Sequence, residues 1–383
     1  MTGLLKETLR EQAEGQQTPR FDVDAITAAG DRRTRHRRAA VGSLAVAAVA
    51  LTAFTVPRLL DTAGTTGADA PVAGQGREVV GAFTERRPTY AVDGVIHYGR
   101  TQIAVGRTIE SFVQTDDAFV FTTKNGDVWL CDGQGSERVG HSGNSRLRAD
   151  DTGSLVAWVD AADDGHPQYV VFDTSSRKEV ARVDDNAAGP SREPEDRGAE
   201  VFAVDDGAAY WRTQDGLVRY DVATGTSKVL QPDALGTIVD VASGHFAHKV
   251  WESDGGSSGL RVSTDLEHPA PPLPSGYDNA VLSPSARYIS GDDGDETTVY
   301  DVATRAVVTP GIEGYAFAAA YAWLDDRTLT MIGIKRLGGV QPIDILECTV
   351  PKGRCTVAAD DVATYDESGP VTLALPVGQR IDE

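Results

Sequence analysis

The hydrophobic pattern changes character twice along the chain. Leu4, Leu5, Leu9 and Ala13 recur at near-helical spacing, with Lys6, Glu7, Arg10, Glu11 and Glu14 on the other faces, which predicts a short amphipathic helix over 3–14. Such a helix is marginal by itself in water. An uncharged run then extends from Ala39 to Val56, and apolar residues resume at Leu59 and Leu60 after Pro57 and Arg58. At about 1.5 Å per residue the uncharged run covers about 27 Å, close to the ~30 Å hydrocarbon core of a bilayer, so a transmembrane helix is predicted over 39–60. Arg58 can snorkel to the far interface. Beyond residue 88 the pattern shortens to brief runs of Val, Ile, Phe, Tyr and Trp separated by Gly, Asp and Asn, which is the texture of strands and tight turns.

Those strands repeat. Tyr220-Asp221-Val222-Ala223-Thr224 recurs letter for letter as Tyr300-Asp301-Val302-Ala303-Thr304, and looser copies end at Asp132 and Asp173. With Ser263 and Cys348 taking the same place, the anchor positions recur every 38 to 48 residues, about 43 on average, the period of a four-stranded propeller blade. Leu155 to Val159 is apolar on both faces, as a strand packed between two blades requires. Asn125-Gly126 and Asp215-Gly216 read as type I′ hairpin turns, and Asp-Val-Ala-Thr as the turn from third to fourth strand. Six units fill about 109–359 and leave a hairpin over 91–105 and a lone strand over 370–377, which can pair in one blade and close the ring. An all-β propeller over 88–383 with seven blades follows, six or eight being the alternatives. Residues 61–87 read as a flexible linker and 184–198 as an exposed loop between blades.

Ser283-Pro284-Ser285-Ala286-Arg287-Tyr288-Ile289 followed by Val299 to Thr304 resembles the repeat of TolB-type and WD-repeat-like β-propellers, and the resemblance covers about 90–378. Arg148 to Val159, Ala203 to Tyr210 and Ala322 to Leu329 echo its first half. The sequence departs from true WD repeats: it has no Trp-Asp dipeptide, and Gly-His occurs only at 140, 165 and 244, so their polar tetrad is missing. A short tail, one anchor and a propeller ectodomain together look like single-pass membrane proteins of actinobacteria. The resemblance implies architecture and little chemistry.

Charge sharpens the topology. The formal charge is -21 and the pI about 4.7, which argues against a nucleic-acid partner because phosphate needs a basic surface. Arg32, Arg33, Arg35, Arg37 and Arg38 stand immediately before the predicted span, so the positive-inside rule places the tail 1–38 in the cytoplasm and 61–383 outside the cell membrane. A cleaved signal fits poorly, since the hydrophilic leader is far longer than a signal's basic region and Ala68-Asp69-Ala70 lies well past the apolar run.

Candidate chemistry is sparse. Cys348 and Cys355 flank a Thr-Val-Pro-Lys-Gly-Arg turn and are predicted to form a structural disulfide, leaving Cys131 as a buried thiol. His245 and His248, three apart in a strand, point to opposite faces and make no metal pair. The acidic clusters at Asp160, Asp163 and Asp164 and at Asp292, Asp293, Asp295 and Glu296 lack a calcium-loop pattern and read as turns on a solvated surface. Gly140-His141-Ser142-Gly143 has the wrong spacing for a nucleophile elbow, and no glycine-rich phosphate loop precedes a helix. No catalytic residue, cofactor or metal is therefore assigned. The reading is a membrane-anchored binding, sensing or scaffold module for an unknown protein, peptide or glycan ligand. One alternative is a propeller enzyme with paired channel carboxylates acting on a glycan or other small substrate. Another is a transmembrane regulator signalling to a cytoplasmic transcription factor.

Overall fold

A computed structural model describes residues 82–161, 167–184, 199–213, 216–231, 237–251, 257–274, 278–293, 296–351, 353–366 and 371–381. The tail 1–38, the arginine cluster, the predicted span 39–60 and the loop 185–198 lie outside the described residues, and no helix among the described residues is long and apolar enough to cross a membrane.

The described residues form a seven-bladed β-propeller within the unit Pro71–Glu383. Blade 1 contains β1 (Thr89–Val92), β2 (Val95–Tyr98) and β3 (Thr101–Ala104). Blade 2 contains β4 (Ser111–Gln114), β5 (Phe119–Thr122), β6 (Asp127–Cys131) and β7 (Ser136–His141). Blade 3 contains β8 (Arg148–Ala149), β9 (Leu155–Ala161), β10 (Pro167–Asp173) and β11 (Lys178–Asp184). Blade 4 contains β12 (Glu200–Asp205), β13 (Ala208–Thr213), β14 (Gly216–Asp221) and β15 (Thr226–Gln231). Blade 5 contains β16 (Thr237–Ala242), β17 (His245–Trp251) and β18 (Ser257–Ser263). Blade 6 contains β19 (Asp278–Leu282), β20 (Tyr288–Asp293) and β21 (Glu296–Asp301). Blade 7 contains β22 (Phe317–Trp323), β23 (Thr328–Ile334), β24 (Gln341–Thr349) and β25 (Arg354–Tyr365), and β26 (Leu373–Ala374) returns to become the inner strand of blade 1. A single parallel residue pair, Glu296 with Ala318, links blades 6 and 7 into one hydrogen-bonded sheet.

Burial grades outward, as stacked blades demand. All of Phe119–Thr122 is buried, whereas the outer strands Lys178–Asp184 and Thr226–Gln231 are mostly exposed. Apolar clusters fill every interface around the ring: Ile96 with Phe112 and Phe119, Val120 with Trp158, Tyr169 with Trp211, Tyr210 with Phe246, Leu260 with Ile289, Tyr288 with Leu329, and Ile345 with Leu373. The last cluster joins blade 7 to blade 1, so the ring closes through the core as well as through the sheet. The expected mixed blade is present: Ala91 and Val92 of β1 pair with Ala374 and Leu373 of β26.

The repeat anchors fall at the ends of the third strands. Asp221 and Asp301 each accept the backbone N–H and the hydroxyl of the threonine three residues on, closing the third-to-fourth turn. Blade 5 departs from the four-strand pattern. Past Ser263 the chain carries Pro269, Pro271, Pro272 and Pro274, which lack the N–H a ladder needs, and Leu273 N–H donates to Leu260 O at 2.7 Å. In blade 6 the fourth strand shrinks to an isolated pairing of Tyr300 with Val307.

Two sequence expectations need correction. The Asn125-Gly126 turn is not type I′: Gly126 alone has positive φ, +79°, while Gly126 N–H donates to Thr123 O and Thr123 N–H to Asp127 O. That is a tight turn closed by a glycine bulge, which asks for one left-handed residue and not two. Asp215 lies outside the described residues. The propeller also begins before residue 88, because Phe83 is 6% exposed within the cluster of blades 1 and 2 and its N–H donates to Asp116 O.

Candidate functional site

Around the axis the inner strands enclose a cavity of about 780 Å³. Small side chains keep it open, notably Ala318, Ala319, Ala320 and Ala322 along β22, while Phe202 and Tyr321 supply apolar wall. That volume lies within the range of small-ligand sites, roughly 300–1,000 Å³.

The charged groups on the wall differ in how they are held. Arg86 uses its guanidinium as a strut: it donates to Phe83 O at 2.6 Å, to Thr115 O at 3.5 Å, to Asp151 O at 2.5 and 3.1 Å, and to Asp116 Oδ1 at 3.0 Å. Arg148 donates to Phe202 O, Leu147 O and Val377 O at 3.0, 3.0 and 3.1 Å and to Gln379 Oε1 at 3.3 Å. Glu200 sits between Arg146 at 3.1 Å and Arg212 at 3.6 Å. These groups tie blades 2, 3 and 4 to one another and to the chain segments that cross the channel mouth.

Two carboxylates on the cavity wall behave differently. Asp240 accepts Val241 N–H at 2.9 Å and, across to blade 6, Leu282 N–H at 2.7 Å. Burial holds its carboxyl above the usual range, and the charge of Asp151 pushes it further the same way. Asp151 has an exposed surface on the channel wall, yet the surrounding protein desolvates its carboxyl and raises it as well, with Asp205 adding to the shift and Arg86 opposing it. Beside it Asp150 is 5% exposed and is pushed up to about 6 by burial, against the opposing hydrogen bond from Thr152 N–H at 3.1 Å.

The residues singled out from sequence are placed as follows. Cys348 and Cys355 face each other across β24 and β25 and form a disulfide, with their Cα atoms 4.0 Å apart. Cys131 is buried, and that burial raises its thiol pKa. His248 is buried with Nδ1 3.3 Å from Phe246 O, while His245 is partly exposed. Among the described residues no group of three His, Cys, Asp or Glu side chains is placed to hold a metal. Asp160 is not simply solvated: it meets Arg182 at 2.9 Å. Nor is Asp292, which lines the channel and accepts the Thr297 hydroxyl at 2.6 Å. Sequence reasoning passed over Arg86, Arg148, Asp151 and Asp240 because they come from three separate stretches of the chain, before β1, at β8 and in β16. A usable signal existed in two of them, since Asp240 interrupts Ile238-Val239-Val241 and Arg148 interrupts Leu147-Ala149, each placing a charge in an apolar inner strand.

No protein-family model matches the chain, and no curated protein matches it. Among solved structures it is similar to a putative TolB from Agrobacterium tumefaciens, at 10% identity over 69% of this chain and 84% of that one, with a TM-score of 0.37. It is also similar to TolB from Acinetobacter baumannii, at 14% identity over 75% and 65% of the two chains and a TM-score of 0.38. The β-propeller domain of the Trilobed protease from Pyrococcus furiosus is similar at 11% identity over 71% and 93%, with a TM-score of 0.49. These likenesses concern the fold alone, and the blade count rests on the sheets and interblade clusters described above.

Proposed function

We propose that this protein is a membrane-anchored, extracytoplasmic propeller of the actinobacterial single-pass type, whose central channel binds a protein, peptide or glycan ligand without transforming it. The observation that carries the reading is the cavity of about 780 Å³, walled by inner strands of several blades and held open by short side chains. Its guanidinium groups are fixed by carbonyls before any ligand arrives, so the wall is preorganised for recognition. The anchor and orientation rest on the apolar run over 39–60 and the five arginines before it. Reporter fusions after Thr34 and after Gly74 test that part, and a cytoplasmic signal from the second overturns it.

The enzymatic alternative draws on one specific observation: Asp151 and Asp240 both line the channel, burial holds both carboxyls above their usual range, and the charge of Asp151 pushes Asp240 further up. A carboxyl held protonated near neutral pH is what a general acid needs. An activity screen on glycans, peptides and esters decides between the two. Turnover that disappears in D240N or D151N while binding persists establishes the enzyme and refutes the binding-only function.

A further inference from the structure

After β26 the chain does not continue the sheet of blade 1. It turns at Pro376 and Val377, and Gly378 is held by two other blades: its N–H donates to Phe112 O of blade 2 at 2.9 Å, and its carbonyl accepts Leu147 N–H at the start of blade 3 at 2.7 Å. Side chains of the same two blades read the flanking residues. Arg148 Nη1 donates to Val377 O at 3.1 Å and Nη2 to Gln379 Oε1 at 3.3 Å, and Glu110 Oε2 meets Arg380 Nη1 at 3.4 Å. The fit is tightest at the glycine. Its φ is +69°, and a Cβ there would stand 1.9 Å from Leu147 O and 2.9 Å from Val113 Cγ1. Val377, Gln379, Arg380 and Ile381 form one wall of the cavity and leave its remaining volume open beside them.

Paired backbone bonds to a glycine, a guanidinium on a carbonyl and an amide, and a carboxylate on an arginine are means by which proteins recognise peptide segments. We propose that Glu110, Phe112, Leu147 and Arg148 form a peptide-binding seat at the edge of the channel, and that residues 376–381 occupy it in cis as a resident ligand. The external ligand that takes their place is a peptide of the same chemistry: an apolar residue, a glycine, a hydrogen-bonding polar residue, then an arginine. Tethering gives the resident segment an effective concentration in the millimolar range, so the seat stays closed to weak competitors and opens to a peptide that binds better or to an event that loosens the glycine. This inference rests on the reading of the channel as a binding site and names the class of ligand it takes.

The test uses a fluorescent peptide of residues 376–383 and fluorescence anisotropy. The full-length chain is expected to show no saturable uptake below about 1 mM. Full-length G378A, whose own segment is disfavoured by the left-handed backbone and the contact with Leu147, is expected to bind the peptide at least about tenfold more tightly than the unaltered chain. A peptide carrying G378A itself should bind that same chain at least about tenfold more weakly than the native peptide. A chain ending at Pro376, which keeps β26, should behave as full-length G378A does. A variant that keeps its melting temperature yet takes up no peptide overturns the proposal, as does equal uptake of the two peptides. If neither variant folds, the segment is scaffold and the proposal also fails. None of these results bears on whether the unaltered channel captures some other ligand, so this failure is distinguishable from failure of the binding function.

Discussion

Asp150→Asn is expected to stabilise the propeller at neutral pH and to flatten its pH dependence. The Asp150 carboxyl is 5% exposed, and burial pushes it up to about 6 from its ordinary value of 3.8. Between those two values the native chain holds a proton that the unfolded chain has released, so stability is full below about pH 4 and declines as pH rises through 6. A shift of about two units at ~1.4 kcal/mol each corresponds to roughly 3 kcal/mol lost by pH 7. Asparagine keeps an oxygen for the Thr152 N–H bond and never ionises, so the variant should match the native chain near pH 4 and exceed it by up to about 3 kcal/mol at pH 7. Asp151 and Asp240 are raised too and remain in both proteins, which makes the difference between the two profiles the informative quantity. Urea unfolding followed by tryptophan fluorescence at pH 4, 5, 6 and 7 measures it. Parallel profiles across that range would refute the assignment of a buried, proton-holding Asp150.

Reducing Cys348–Cys355, a short loop with sequence separation 7, should cost roughly 2.5 kcal/mol, read as a lower urea midpoint under dithiothreitol and no change in a Cys348→Ser, Cys355→Ser chain. Trp211→Ala removes a ring that is 1% exposed and stacked on Tyr169 and Tyr220 at 4.8 and 5.1 Å; a loss of about 3–5 kcal/mol is expected by the same assay. Deleting 369–383 removes β26 and exposes the blade 1 edge along with the partners of Leu373 and Leu375, so a fall of about 4 kcal/mol or more should appear as a much lower melting temperature. A deletion that melts like the intact chain would contradict closure through blade 1.

The fold was legible because one turn motif is physically costly to vary. Asp221 and Asp301 satisfy the same two donors of the following threonine, so Tyr-Asp-Val-Ala-Thr survives as text at two blades and marks the period for the others. Blade 5 hid its missing strand because the repeat was counted from the ends of the third strands, which keep their period whatever follows them, and only Pro269, Pro271, Pro272 and Pro274 betray the lost ladder. The channel was less legible. Arg86, the neighbouring Arg148 and Asp151, and Asp240 come from three separate stretches of chain that only the folded propeller brings to one cavity, and nothing local to Gly378 announces that Phe112 and Leu147, more than 200 residues away, will hold it. Strand chemistry is written in neighbours, whereas a propeller site is assembled from residues of several blades.

Whether the channel holds a ligand is read from capture by a variant whose channel is filled. Ala319 lines the cavity on β22, and Ala319→Trp would occupy much of the open space. Cell-surface extracts passed over the unaltered and A319W proteins, with bound species identified by mass spectrometry, should show a ligand retained unchanged by the first and lost from the second at unchanged melting temperature. Equal retention by both would place the binding surface elsewhere and contradict the account.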